Sequence, residues 1–375
     1  MPLSDLKVVD MATVLAGPGC ARYLADFGAR VVKVERPGGG DTLRGLGWSD
    51  HPDDDSYFWK MLGRGKRCIT LDLKQPEGLA AMKRLCAEAD VLVENLRPGK
   101  LEALGLVPEE LIAANPGLVI TRVTAFGQDG PYSQRPGFAT LAEAMSGLAA
   151  ISGHAEGPPL LPPIALTDEV TALVAAFATL VAVQSGRGQV IDVSLLESMS
   201  QMMGPLMAVW RRHGELQPRM GSGLPYSTPR GTYRTADGRW LAVSASSSSV
   251  AERVMALVGL DGDERFATFV GRAANRREVE DAMAAWVERH TLAEAMAEFD
   301  RIDAAAAPVM TMADLDRDPH AAHREMFVEV DGITMQGVVA RLSETPGRIR
   351  WAGRPLGHDD SEFDPEDPWG SLEGR

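Results

Sequence analysis

Apolar and polar positions along the 375-residue chain alternate between two periods. "LKVVDMA" near the N-terminus reads as a strand, and "GPGCARYLADFGA" as a glycine turn opening a helix. "RVVKVE" (residues 30–35) is a second strand and "CITLDL" (68–73) a third. A helix is expected from Pro76 to Glu88, followed by the strand "VLVEN" and, after another helical stretch, "LVITRVTAF". Runs of four to six apolar, often β-branched residues separated by helices predict a parallel sheet covered on both faces. Next come a helix near Leu141–Ile151, a long helix from Asp168, the strand "QVIDVSL", and one Met-rich helix from Leu195 to about Arg212. Residues 214–230 are rich in Gly, Pro, Ser and Arg and read as a linker. "GTYRTADGRWLAVSAS" predicts a hairpin turning at Ala236-Asp237-Gly238, with helical stretches to about Asp300. The expected architecture is α/β. A large Rossmann-like domain occupies 1–215 and is completed by a return segment, 321–358. A smaller α+β domain covers 225–320, and an acidic tail 359–375.

Chemistry is suggested where this pattern is broken. The longest apolar run, Ala172 to Val183, belongs to a helix that opens on Asp168 and Glu169. Acids in a first turn complement the helix dipole, and Thr167 is placed to cap as the residue before it. Capping accounts for both acids but leaves open what else a carboxylate does there. "AGPGCARYLADFGARVVKVE" imitates a dinucleotide fingerprint ending at Glu35. However, Pro18 lies between its glycines and Arg22 stands where the third glycine belongs, so NAD is not expected. "VERPGGGDTLRG" is either a flexible loop or one that carries Arg36 to an anionic or planar ligand. Lys74 and Arg97 follow strands at the carboxyl edge of the sheet, where open α/β sheets bind ligands. The alternative is that both are solvated loop charges. Asn95 is available to hydrogen-bond a ligand amide.

Other features carry less. His320 and His323 lack a third ligand, and no zinc-type pattern, P-loop or G-x-S-x-G motif is present, so no metal is expected. The serines at 244–249 read as a helix cap, and the methionines of "ESMSQMMGPLMAVW" as core or interface filler.

Charge adds a direction. The net charge of −14 argues against a nucleic-acid partner. Yet residues 1–100 hold 15 Lys/Arg against 14 Asp/Glu, so a phosphate-bearing ligand is best received in this first part. No run of about 18 uninterrupted apolar residues occurs, and the start lacks a basic-then-apolar signal, so no membrane partner is expected. Three widely spaced cysteines fit a reducing cytoplasm. The tail from Asp359 has seven acids in seventeen residues and is expected to be extended or disordered.

In order, "VLAGPGCARYLADFGARVVKVERPGGGDTLR", "LDLK", "VENLRPGKLEALGL", "FGQDGPYSQRPGF", "TDEVTA", "SGRGQVIDVSLLES" and "APVMTMADL" cover nearly the whole chain. Together they resemble the class III coenzyme A transferases, a family that includes formyl-CoA transferase, carnitine CoA-transferase and alpha-methylacyl-CoA racemase. The resemblance implies a Rossmann-like domain built from both chain ends, a small domain, and two chains interlocked as a homodimer. It implies an acyl-CoA and a small carboxylic acid as substrates, with Asp168 as the nucleophile that forms a covalent aspartyl intermediate. The helix N-terminus is expected to keep Asp168 ionised and to lower its basicity. By matching position, Leu15 and Ala16 lie near the pantetheine or nucleotide and Arg36 meets the adenine-phosphate end. Leu71, Asp72, Leu73, Lys74, Asn95, Leu96 and Arg97 line the remainder, and Gly137 and Phe138 are carried over with them.

Racemases of the family carry a His where this chain has Gly137-Phe138-Ala139. Phe138 cannot move a proton, which favours the transferase branch over racemase-type proton transfer. A non-catalytic CoA-binding homologue is disfavoured by the presence of Asp168. The chain also departs from the transferase pattern at Leu15, Ala103, Ala139 and Ala172, and lacks a glycine run at 245–260. These changes suggest either a less polar acyl pocket or a substrate whose own charges meet other groups, with Arg135 and the serine run as candidates.

Overall fold

The computed structural model describes residues 1–245 and 247–372. It divides into two compact units, Met1–Leu148 with Pro162–Gly204 and His320–Arg375, and Ala149–Leu161 with Pro205–Pro319.

The first unit is built on six parallel strands: β1 (Lys7–Asp10), β2 (Arg30–Glu35), β3 (Lys66–Thr70), β4 (Val91–Glu94), β5 (Val119–Thr124) and β6 (Gln189–Ser194). Their order is β3-β2-β1-β4-β5-β6, with Val8 paired to Val31 on one side and to Val91 on the other. This is the Rossmann order, and the winding reverses between β1 and β4. Alternation along the central strands feeds two cores. Val8, Val31 and Val91 enter one, and Val9, Val32 and Leu92 the other, which explains why the strands read as continuous apolar runs.

The helix Ala16–Asp26 packs on the helix Leu166–Gln184. Glycine is what lets them meet. A Cβ on Gly19 would stand 2.8 Å from the Cβ of Ala172, and one on Gly17 would stand 2.4 Å from that of Ala12. The glycines that imitate a nucleotide fingerprint thus serve close packing. The Leu166–Gln184 helix buries Thr171, Ala172, Ala175, Ala176, Thr179 and Ala182, and leaves Leu173, Phe177 and Val181 exposed on its other side.

The second unit holds an antiparallel sheet of β7 (Arg230–Arg234), β8 (Trp240–Ser244) and β9 (Ala306–Pro308). Helices Ser248–Leu257, Arg276–Val287 and Leu292–Arg301 supply Val254, Met283, Trp286 and Phe299 to its core. Ser247 caps the first of them, as the serine run suggested, while Ser246 lies outside the described residues. Residues 149–161 join this unit because Gly221 N donates to Gly153 O and Arg219 donates to the carbonyls of His154, Ala155 and Gly157. The return segment forms a hairpin of β10 (Phe327–Val330) and β11 (Ile333–Gln336) in the first unit.

Three expectations need correction. The third strand is Lys66–Thr70, not 68–73, because Lys66 and Arg67 are drawn into the sheet by Asp10 and Asp359. The Met-rich helix is two, Leu195–Gln201 and Leu206–His213. Gly204 takes a left-handed φ of 57°, and Pro205 has no N–H to continue the helix. Residues 359–372 of the acidic tail are packed rather than extended or disordered. Asp359 is buried, accepting from Cys68 N at 2.7 Å and from Arg67 and Arg354, and Trp369 donates to Leu85 O while packing with Leu372 in the core.

Candidate active site

The chain leaves β1 at the buried Asp10. One of its carboxylate oxygens accepts from Ala12 N at 3.1 Å, the other from Lys66 Nζ at 2.8 Å. Lys33 on β2 lies 3.1 Å from Asp41 and 3.7 Å from Asp10, and donates to the Ala12 carbonyl. Burial pulls the Lys33 amine down, but Asp10, Asp41 and Glu35 outweigh it and the pKa is raised. At Lys66 burial prevails over Asp10 and the pKa is lowered. Asp41 also accepts from Val14 N at 3.0 Å. Asn95, after β4, clasps Thr13 with both ends of its amide, at 2.8 and 2.6 Å. Held on every side, Val14 adopts a φ of 68°, a region that β-branched residues avoid. Strain of this kind costs about 1–3 kcal/mol and persists only where the surroundings over-determine it.

The strained turn delivers Leu15 and Ala16, the start of an uncapped helix, to a cavity of about 330 Å³ at the carboxyl edge of the sheet. Asn95 and Arg97 line it from the end of β4, and Gly137, Phe138 and Arg135 from the segment after β5. Asp168 lines it from the first turn of the Leu166–Gln184 helix. Seven of the thirteen residues assigned to the nucleophile and the CoA contacts therefore meet in one place, with Arg135 beside them. The other six do not line this cavity. Arg36 follows β2, with its Nε on Gly40 O at 3.2 Å, and Leu71, Asp72, Leu73 and Lys74 follow β3. Leu96 packs against the core beside Leu71 and Leu73. All follow carboxyl ends of strands in the same parallel sheet.

Asp168 departs from expectation. Burial first, then the charges of Glu143 and Glu169, push its pKa up to about 6, so the helix end does not hold it as an ordinary, weakly basic carboxylate. Thr167 is not the cap either. The helix begins at Leu166 with no side-chain cap, and Thr167 is buried, donating to Glu143 at 3.1 Å. Glu169 is paired with Arg22 at 3.1 Å and Tyr23 at 2.9 Å. Asp168 is left as the acid of the pair that faces the cavity. Glu35, the acid of the fingerprint-like stretch, is buried under a two-pronged contact from Arg44 at 2.8 and 2.6 Å and accepts from Asp41 N.

Sequence reading missed Asp41, Glu143 and Lys33. A lysine inside the apolar run "RVVKVE" was the available signal, since an amine in a buried strand needs a carboxylate partner. Glu143 on the helix Ala139–Met145 gave no such signal. Among the described residues no cluster of His, Cys, Asp and Glu is arranged to hold a metal ion.

Comparison with known proteins bears directly on this site. The family model described as "CoA-transferase family III" matches residues 3–360. The chain belongs to CoA-transferase family III. Succinyl-CoA--D-citramalate CoA-transferase of Chloroflexus aurantiacus is 39% identical, over 96% of this chain and 93% of its own. Succinate--glutarate CoA-transferase of Agrobacterium fabrum is 32% identical, over 95% and 93%. A CAIB/BAIF family protein from Brucella suis superimposes with a TM-score of 0.85 at 31% identity, covering 96% of this chain and 98% of that one. The protein is thus a CoA-transferase, acting on an acyl-CoA and a carboxylic acid. A CoA-transferase must bring a thioester to a group that can take the acyl portion from sulfur. Among the described residues, Asp168 is the one carboxylate that lines the cavity, beside an apolar wall of Val123, Ala125, Phe126 and Leu195.

Proposed function

We propose that this CoA-transferase exchanges CoA between succinyl-CoA and a dicarboxylic acid through Asp168. The observation that carries the reading is a half-buried aspartate with its pKa pushed up to about 6, lining a cavity at the Rossmann switch region of the sheet. A more basic carboxylate is a better nucleophile, and at neutral pH it is still largely ionised. An Asp168 oxygen attacks the thioester carbon, the C–S bond breaks, and CoA leaves as the thiolate, giving a mixed anhydride. The thiolate then attacks the Asp168 carbonyl and releases succinate, leaving an aspartyl-CoA thioester. The acceptor carboxylate reverses both steps and departs as the new acyl-CoA. Dicarboxylate substrates are supported by the names of the two relatives.

The CoA portion is assigned to the remaining carboxyl edge, from Asn95–Arg97 across the β1 turn to Arg36 and Leu71–Lys74, where cations are available for its phosphates. A homodimer is assigned as well, with a second copy covering the exposed Leu173, Phe177 and Val181. The test of the chemistry is peptide mass spectrometry after incubation with succinyl-CoA, with and without hydroxylamine. An adduct on the Asp168 peptide, absent in Asp168→Ala, is expected. No adduct, together with deuterium uptake beside the thioester in heavy water, would replace transfer by proton chemistry.

A further inference from the structure

We infer that Arg135 is the anchor for the distal carboxylate of the acyl group, which makes the cavity selective for dicarboxylic acyl-CoAs. This rests on the succinyl-CoA reading above and assigns the residue that reads the substrate's second charge.

The surroundings of Asp168 are acidic, since Glu143 and Glu169 both push its pKa up. The wall formed by Val123, Ala125, Phe126 and Leu195 is apolar. A second carboxylate on the acyl chain would meet repulsion on one side and desolvation on the other unless a cation received it. Two cations line the cavity, Arg97 and Arg135. Arg97 follows β4, toward the sheet's β1-β2-β3 side, where the phosphates of CoA are placed. Arg135 comes from the segment after β5, on the opposite side.

Arg135 is also seated for the task. Phe126, at the end of β5, meets Tyr132 edge-on with ring centroids 5.9 Å apart, and the Arg135 guanidinium lies over the Tyr132 ring at 4.1 Å. Its backbone N–H closes a turn on Tyr132 O at 2.9 Å. Gly137 lets this segment settle on the strand end, because a Cβ there would stand 2.3 Å from that of Ala125 and 2.8 Å from the Phe126 ring. With its carbon over the Tyr132 ring, the guanidinium keeps N–H groups for a carboxylate. Among the described residues the Arg135 side chain has no hydrogen bond or ion pair to a protein group. Arg22 and Arg44, by contrast, are committed to Glu169 and Glu35.

The test compares kcat/KM for succinyl-CoA with that for butyryl-CoA, whose acyl chain has the same length and no carboxylate, in wild type, Arg135→Gln and Arg135→Lys. The succinyl-to-butyryl ratio is expected to fall roughly 10- to 100-fold in Arg135→Gln, the range for losing a charged hydrogen bond. Arg135→Lys should recover part of it, since it keeps the charge and loses the fork. An equal loss on both thioesters would show that Arg135 serves the CoA portion or the fold, and no loss on either would show that it serves neither substrate. Both results overturn the inference. Should wild type fail to label Asp168 with succinyl-CoA, or show no preference for it over butyryl-CoA, the succinyl reading itself fails before any variant is considered.

Discussion

Asp168 carries opposite signs for chemistry and stability. Its folded pKa of about 6 lies above the ordinary 3.8. Below about pH 3.8 both the folded and the unfolded chain are protonated there and the group has no effect. As pH rises toward 6 the unfolded chain ionises first, so stability present at low pH is lost progressively and the loss is complete above about 6. At about 1.4 kcal/mol per pKa unit the full cost approaches about 3 kcal/mol. Asp168→Asn should therefore melt higher than wild type at pH 8, with the gain fading as the pH falls to 4, while transferase activity is abolished. Thermal melts of both proteins across that range check the sign, and a melting difference that grows on acidification would contradict it. Wild-type kcat/KM should in turn fall on the acid side with a midpoint near 6 as the nucleophile is protonated. The two acids at the head of an apolar helix were visible in the sequence and the family resemblance named Asp168 as the candidate nucleophile, but the direction of its pKa was legible from neither. The raised value comes first from burial that only the fold creates, and then from Glu143, 25 residues earlier in the chain, and Glu169.

Among the elements, the contact of helix Ala16–Asp26 with helix Leu166–Gln184 governs the cavity, because the first residues of both line it. Their spacing at Gly19 and Ala172 admits no added methyl group. Gly19→Val should cost about 1–3 kcal/mol by overpacking and also lower kcat/KM, since the displaced helix ends carry Leu15, Ala16 and Asp168. Chemical denaturation together with kinetics checks this. Unchanged kinetics in a destabilised variant would show that the helix starts are held by the β1 turn and not by the packing. The elements themselves were readable because their periods are strong. "RVVKVE" is a buried strand paired along its length, "QVIDV" a paired edge strand with exposed Gln189, Val190 and Asp192, and Pro76 marks the first turn of its helix. Boundaries failed where tertiary partners overrode local pattern. Lys66 and Arg67 look like loop residues until Asp10 and Asp359 are placed beside them. The tail was misjudged because its acids were counted and its aromatics, Phe363 and Trp369, were not weighed.

For the molecule as a whole, the face opposite the helix contact remains to be covered. Leu173, Phe177 and Val181 follow one another at single-turn intervals, and Phe177 is 71% exposed. Large apolar side chains stacked this way on a protein surface mark an interface. By length and composition the helix would also fit a membrane. Two acids in its first turn and a face of Ala and Thr packed on the protein favour a partner of the same kind instead. A second copy is the occupant proposed, and the chain's net charge of −14 makes an apolar contact the one on which two copies do not repel. Burying each such side chain yields about 1.5–3 kcal/mol, so a glutamate at the centre of the face should be decisive. Light scattering after gel filtration should give wild type the mass of two chains and Phe177→Glu that of one. The single chain should melt below the wild-type dimer, with a melting temperature independent of protein concentration, since it loses the interface burial but keeps its own core. A wild type that runs as one chain, or that sediments with anionic or neutral vesicles, would assign the face to another role. A Phe177→Glu protein that keeps the dimer mass would place the interface on another surface.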